Sequence, residues 1–130
     1  MLFRSLVQIV HPDHAALRIG GVIGVNDLNQ RDRFANLGYW VRSDLVGRGM
    51  ATAGAKLVAN YAFDFLDVHR LEIFMSVEND ASQAVAEHLG ARYDGRLRGR
   101  LLLDGRYHDA HLYSLLATDD LAWRADRDQL

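Results

Sequence analysis

The 130-residue chain has no cysteine and a single proline. The missing cysteines exclude thiol nucleophiles, thiolate-ligated metal and redox pairs together. No apolar run approaches the roughly 18 residues that cross a bilayer. The opening stretch from Met1 to Val10 has neither a long apolar segment nor a small-residue cleavage site, so a cytoplasmic protein without membrane association is expected. Charge of one sign is also missing: 15 Lys and Arg stand against 17 Asp and Glu, a formal net charge of -2. No field is available to hold nucleic acid nonspecifically. What is present, 49% hydrophobic and 25% charged residues with 11 glycines, is the composition of one folded domain over residues 1–130. Chemistry is left to His, Ser, Tyr, carboxylates, the backbone or a bound cosubstrate.

Hydrophobic patterning orders the elements. The β-branched run Ser5 to Val10 ends at His11-Pro12-Asp13-His14, a turn leading into a second strand over about 15 to 28, where Gly20, Gly21 and Gly24 break the alternation. Residues 29 to 36 read as a polar loop closing an N-terminal hairpin unit, 1–36. Leu37 to Val41 reads as a third strand. Met50, Leu57, Val58, Tyr61, Ala62 and Phe65 are spaced for one face of a long helix. Leu71 to Val77 is apolar enough for a central strand buried on both faces. Asn79-Asp80 offers a cap for a helix through Leu89, with Ala81, Ala84, Val85, His88 and Leu89 on one side and Gly90 ending it. Leu101 to Leu103 and Tyr107 to Leu116 flank Asp104-Gly105, a strong hairpin signal. The order β-β-β-α-β-α-β-β predicts an α+β (mixed αβ) fold with a largely antiparallel sheet. Residues 37–117 form its core and 118–130 a polar tail whose alternating charges read as solvated surface.

The sharpest local feature is Val46-Gly47-Arg48-Gly49-Met50-Ala51-Thr52, where small residues open a long helix after a strand. Unpaired N–H groups and the helix dipole make such a turn a seat for a diphosphate, and Arg48 could add direct charge. Equally, glycines there can serve turn geometry alone. A P-loop is excluded because no Lys-Ser/Thr follows, and a dinucleotide fingerprint fails because its third glycine position is Thr52.

Five strings stand in order: Leu37-Gly-Tyr-Trp-Val41, Val46-Gly-Arg-Gly-Met-Ala51, Val77-Glu-Asn-Asp-Ala-Ser82, Ala86-Glu-His-Leu-Gly90, and Asp104-Gly-Arg-Tyr-His-Asp109 with Leu112-Tyr-Ser-Leu-Leu116. Together they resemble the GNAT N-acetyltransferases, most closely the RimJ/RimL-like branch, over about residues 17 to 117. The resemblance implies an acyl-CoA N-acyltransferase fold and direct acetyl transfer from acetyl-CoA to a primary amine, on a protein N-terminus or a small molecule, without a metal. It implies that Gly47, Arg48, Gly49, Met50, Ala51 and Thr52 hold the pyrophosphate. It further implies that the strand at Tyr39, Trp40 and Val41 splays from that at Leu71 to Val77, so that pantetheine bonds into the gap. Backbone N–H near Val41 would stabilise the oxyanion, Asn79 would contact pantetheine, and Ser82 would lie near the sulfur. Leu101 stands where some ribosomal-protein acetyltransferases of this type carry a glutamate base, so a ribosomal-protein acceptor is not expected. Members usually have a strand and two helices before the hairpin at 5–28. A shortened N-terminus would leave apolar sheet exposed, which predicts a homodimer or other homo-oligomer.

Single residues keep two readings each. Glu72 is a candidate general base, or a carboxylate paired with Arg70. Ser82 is a candidate proton donor to the departing thiolate, or a helix-start serine bonded to backbone. Tyr39 and Trp40 flank the acyl group, or are core aromatics. His108 and His111 fall on opposite faces of a strand and do not make a mononuclear metal site. A catalytically silent acyl-CoA-binding or oligomeric interaction module is the alternative function.

Overall fold

A computed structural model describes residues 5–13, 16–41 and 49–125. Its elements run β1 (Ser5–Asp13), β2 (Ala16–Asn29), β3 (Phe34–Val41), α1 (Met50–Phe65), β4 (Arg70–Ser76), α2 (Asp80–His88), β5 (Arg92–Leu103), β6 (Arg106–Leu116) and α3 (Ala122–Ala125). The strands form one six-stranded sheet in the order β1-β2-β3-β4-β6-β5. All neighbours are antiparallel except β3 and β4, which the α1 crossover joins in parallel.

Local chemistry explains the punctuation. Asp104 and Gly105 both adopt positive φ, 51° and 75°, as the two-residue turn between β5 and β6 requires. Gly90 ends α2 at φ 77°, and a Cβ there would lie 2.9 Å from the Leu121 side chain, so the C-terminal segment passes directly over it. Trp123 then donates its indole N–H to the Leu89 carbonyl at 3.0 Å.

Several expectations are corrected. The third strand begins at Phe34 rather than Leu37, leaving only a short turn between β2 and β3, because Asn36 pairs with Asn26 in backbone and side chain. Strand β4 alternates: Leu71, Ile73 and Met75 are buried under the helices, while Arg70, Glu72, Phe74 and Ser76 are only half-buried on the other face. Strand β5 starts at Arg92, well before Leu101, with register shifts that accommodate its glycines. In α2 the buried positions are Ala86 and the cap Leu89, whereas Ala81 and His88 are exposed. Arg124 is not simply solvated surface. Its guanidinium lies over the Phe63 ring and donates to Asn60 at 2.8 Å.

The largest correction concerns α1. Its buried face is Ala51, Gly54, Ala55, Val58, Ala59, Ala62 and Phe63, while Leu57, Tyr61 and Phe65 point outward. Small residues let the helix axis approach Ile23, Val25, Leu37 and Leu71 closely, and close packing outweighed the larger transfer energy of the bulky set.

Candidate active site at the parting of β3 and β4

Strands β3 and β4 pair only through Phe34 with Arg70, Ala35 with Leu71, and Asn36 with Glu72. Beyond that point β3 stays paired to β2 as far as Val41, and β4 stays paired to β6 as far as Ser76. Each strand is held from its outer side, so the inner edges of Leu37–Val41 and Ile73–Ser76 face a gap without ladder bonds between them. Backbone donors and acceptors along such a gap can bond an extended ligand as if it were an added strand.

Alternation sends Tyr39 and Trp40 to opposite faces. Tyr39 lies on the helix side, where its hydroxyl donates to the Ser82 carbonyl at 2.7 Å. Burial, with the Tyr113 phenol nearby, raises the Tyr39 pKa well above its ordinary value, so it stays a neutral donor. Trp40 lies on the other face, 53% exposed, and is not a core residue. Asn79 caps α2 by accepting from the Ser82 N–H at 3.1 Å, and its own N–H donates to Ser76 at the end of β4 at 2.9 Å. Tyr39, Asn79 and Ser82 are therefore brought together at one side of the gap.

Glu72 sits at the vertex, on the face away from the helices. Arg70 binds it at 3.0 Å and Asp94 at 2.7 Å, so one guanidinium is shared by two carboxylates, and the Arg92 charge also acts on Asp94. Asp94 also accepts from the Ser114 hydroxyl, and this bond followed by the Arg70 contact holds its carboxyl below the usual range. The ion-paired reading of Glu72 is thus the one its surroundings display.

The gap leads toward the amino end of α1. Gly49 adopts φ 75° at the cap position, no side chain caps the helix, and its first turn has no acidic residue. A Cβ on Gly49 would meet none of the described residues within 4 Å. Met50 and Thr52 are half-buried and Ala51 is buried. Gly47 and Arg48 lie outside the described residues, and Val41 is placed by its backbone pairing with Gly21. From Gly49 and Thr52 a cleft of about 630 Å³ continues past Lys56, Asn60, His88 and Trp123. Lys56, Trp123 and Asp94 were not singled out from sequence. Lys56 could have been, because it falls one helical turn after Thr52 on the same face.

A helix start without a side-chain cap suits a diphosphate, and a strand gap suits a pantetheine amide chain, so the residues present fit acetyl-CoA as cosubstrate. The GNAT acetyltransferase domain family matches residues 5–92, more than half of the chain. The chain belongs to the GNAT family. Among relatives of this GNAT chain, the "Putative ribosomal N-acetyltransferase YdaF" of Bacillus subtilis (strain 168) is 35% identical over 107 residues, covering 82% of this chain and 57% of the relative. The spermidine N(1)-acetyltransferase of Escherichia coli (strain K12) is 27% identical over 69% of this chain and 48% of its own length. Mycobacterium smegmatis RimJ, solved in complex with CoA-disulfide, superposes with a TM-score of 0.75 at 30% identity, covering 86% of this chain and 56% of that one. The chain thus spans about half the length of the curated relatives it matches.

Proposed function

We propose that this GNAT domain transfers an acetyl group from acetyl-CoA directly to a primary amine. The observation that carries the reading is the gap opening after Asn36 and Glu72 and running toward an uncapped helix start at Gly49. Along it, backbone groups of Tyr39, Trp40 and Val41 bond the pantetheine chain. The amino end of α1 at Gly49, Met50, Ala51 and Thr52, together with Gly47 and Arg48, holds the pyrophosphate. The nucleotide half continues into the cleft, with Lys56 as its cation.

In the reaction the neutral amine nitrogen attacks the thioester carbonyl. The C–S bond breaks, the new C–N bond forms, and CoA leaves as a thiol once it is protonated. The backbone N–H near Val41 stabilises the charge developing on the carbonyl oxygen. Ser82 supplies the proton to sulfur, and Asn79 holds Ser82 through the helix cap. Glu72, at the gap's vertex and held by Arg70, accepts the proton the amine must lose. A homo-oligomer in the cytoplasm belongs to the same proposal, with sedimentation as its check.

The test is a thermal-shift titration with acetyl-CoA, CoA and NAD, followed by thiol release over spermidine and N-terminal peptide amines. A ligand at 100 times its Kd adds about 2.7 kcal/mol, a shift of several degrees. Shifts with both CoA species but not NAD, with thiol release on some amine, are expected. Binding without release on any amine would assign a silent acyl-CoA-binding module instead, a reading favoured by the Arg70 contact on Glu72.

A further inference from the structure

The two strands that bound the gap share no ladder bond beyond Asn36 and Glu72, and β2 and β6 hold them only from their outer sides. On the helix side a chain of three hydrogen bonds leads from β4 to β3. From β4, the Ser76 carbonyl accepts from Asn79 N–H at 2.9 Å. Asn79 accepts in turn from the Ser82 N–H at 3.1 Å, and the Ser82 carbonyl accepts from the Tyr39 hydroxyl on β3 at 2.7 Å.

We propose that Tyr39 is a positioning residue: its hydroxyl ties β3 to the first turn of α2 across the gap, and so sets both the gap's width and the place of the Ser82 hydroxyl. The inference rests on the acetyl-transfer reading for its kinetic consequence, but the tie itself does not. A carbonyl oxygen has two lone pairs, so Ser82 accepts from Tyr39 without giving up its helical bond. The donor is well kept. Tyr113, the neighbouring phenol, is engaged by Gln83 at 3.1 Å and Glu87 at 3.3 Å, and does not compete for the Ser82 carbonyl. Because the acceptor is backbone, Ser82→Ala removes the hydroxyl and leaves the tie, which makes the two residues separable.

The experiment uses Tyr39→Phe, which keeps the ring, Ser82→Ala, and the double variant. Tyr39→Phe is expected to lower kcat about five- to tenfold, the worth of one hydrogen bond, with KM for the amine unchanged. It should also raise the Kd for CoA a few-fold. In the Ser82→Ala background the same change should move kcat less than twofold, because the group it positions is gone. An ordinary core tyrosine would instead give multiplicative effects. Amide hydrogen exchange over residues 82–86 reads the tie without any activity, and should be at least about fivefold faster in Tyr39→Phe. If the wild-type chain releases no thiol with any amine, acetyl transfer fails as the function while the exchange and CoA-binding arms still decide the tie. Wild-type exchange in Tyr39→Phe, or multiplicative kinetics in the double variant, overturns the proposal.

Discussion

Asn36 and Glu72 are the last residues to face each other across the parallel pair, and the two strands part immediately after them. Asn36 is held to β2 by its side-chain amide, which donates to Asn26 at 2.8 Å, and Glu72 is held on β4 by Arg70 at 3.0 Å. Each side of the vertex is thus anchored to its own strand or outer neighbour, a condition for a gap that stays open rather than zipping shut.

Gly49→Asp places a carboxylate where the proposed pyrophosphate sits. Aspartate tolerates the left-handed conformation better than most residues and suits a helix start, so the fold should survive. Calorimetry should show CoA affinity falling by at least tenfold. Gly49→Asn, matched in shape but uncharged, should lose much less. Equal affinity in wild type and Gly49→Asp would move the pyrophosphate elsewhere.

Ser82→Ala is expected to reduce kcat by about 10²-fold, the lower end of general acid catalysis, with unchanged CoA affinity. Thiol-release kinetics beside a binding titration separate the two parameters. A wild-type rate would remove Ser82 from the chemistry.

Lys56→Ala should weaken acetyl-CoA binding several-fold and erase most of any preference for acetyl-CoA over its analogue lacking the 3′-phosphate. The wild-type preference should shrink as salt rises, because the contact is half-exposed and screened. Identical affinities for the two ligands in wild type would take Lys56 out of the nucleotide site.

Asp94 should make stability depend on acid pH. Its folded pKa lies below the ordinary value, first through the Ser114 bond and then through Arg70. The contribution is present above the unfolded carboxylate pKa and is lost as pH falls through the lower folded value. Chemical denaturation from pH 6 down toward 2 should show a shallower loss for Asp94→Asn than for wild type. Parallel curves would show that the bonds are not maintained in solution.

The readings that depend on near neighbours in the chain carried over into the structure. The Asp104-Gly105 turn, the Asn79 cap, the stop at Gly90 and the order of strands and helices all rest on interactions within a few residues. The five strings that resemble the GNAT family are local in the same way, and the family match over residues 5–92 spans the first four of them. Residues whose role depends on distant partners were less legible. Trp40, for which the sequence leaves both a core and an acyl-flanking place open, is exposed, because its strand neighbour Tyr39 takes the helix side and alternation leaves Trp40 the other. Trp123 and Arg124, in a tail that reads as polar, are drawn in by Leu89, Asn60 and Phe63.

Sequence alone determined the order of the strands and helices, the Asn79 cap and the Asp104-Gly105 turn, because caps and positive-φ turns are settled within a window of a few residues, whereas the ends of β1, β3 and β5 were set by their strand partners. Tertiary structure decided which face of α1 is buried, where β3 leaves β4, that Tyr39 reaches Ser82, and that Arg70 reaches Asp94. The pairings among them join residues 24 to 43 positions apart, and the buried face of α1 sets alanine against leucine as the better fit to a sheet. Pairing energies of that kind exist only once the strands have been brought side by side.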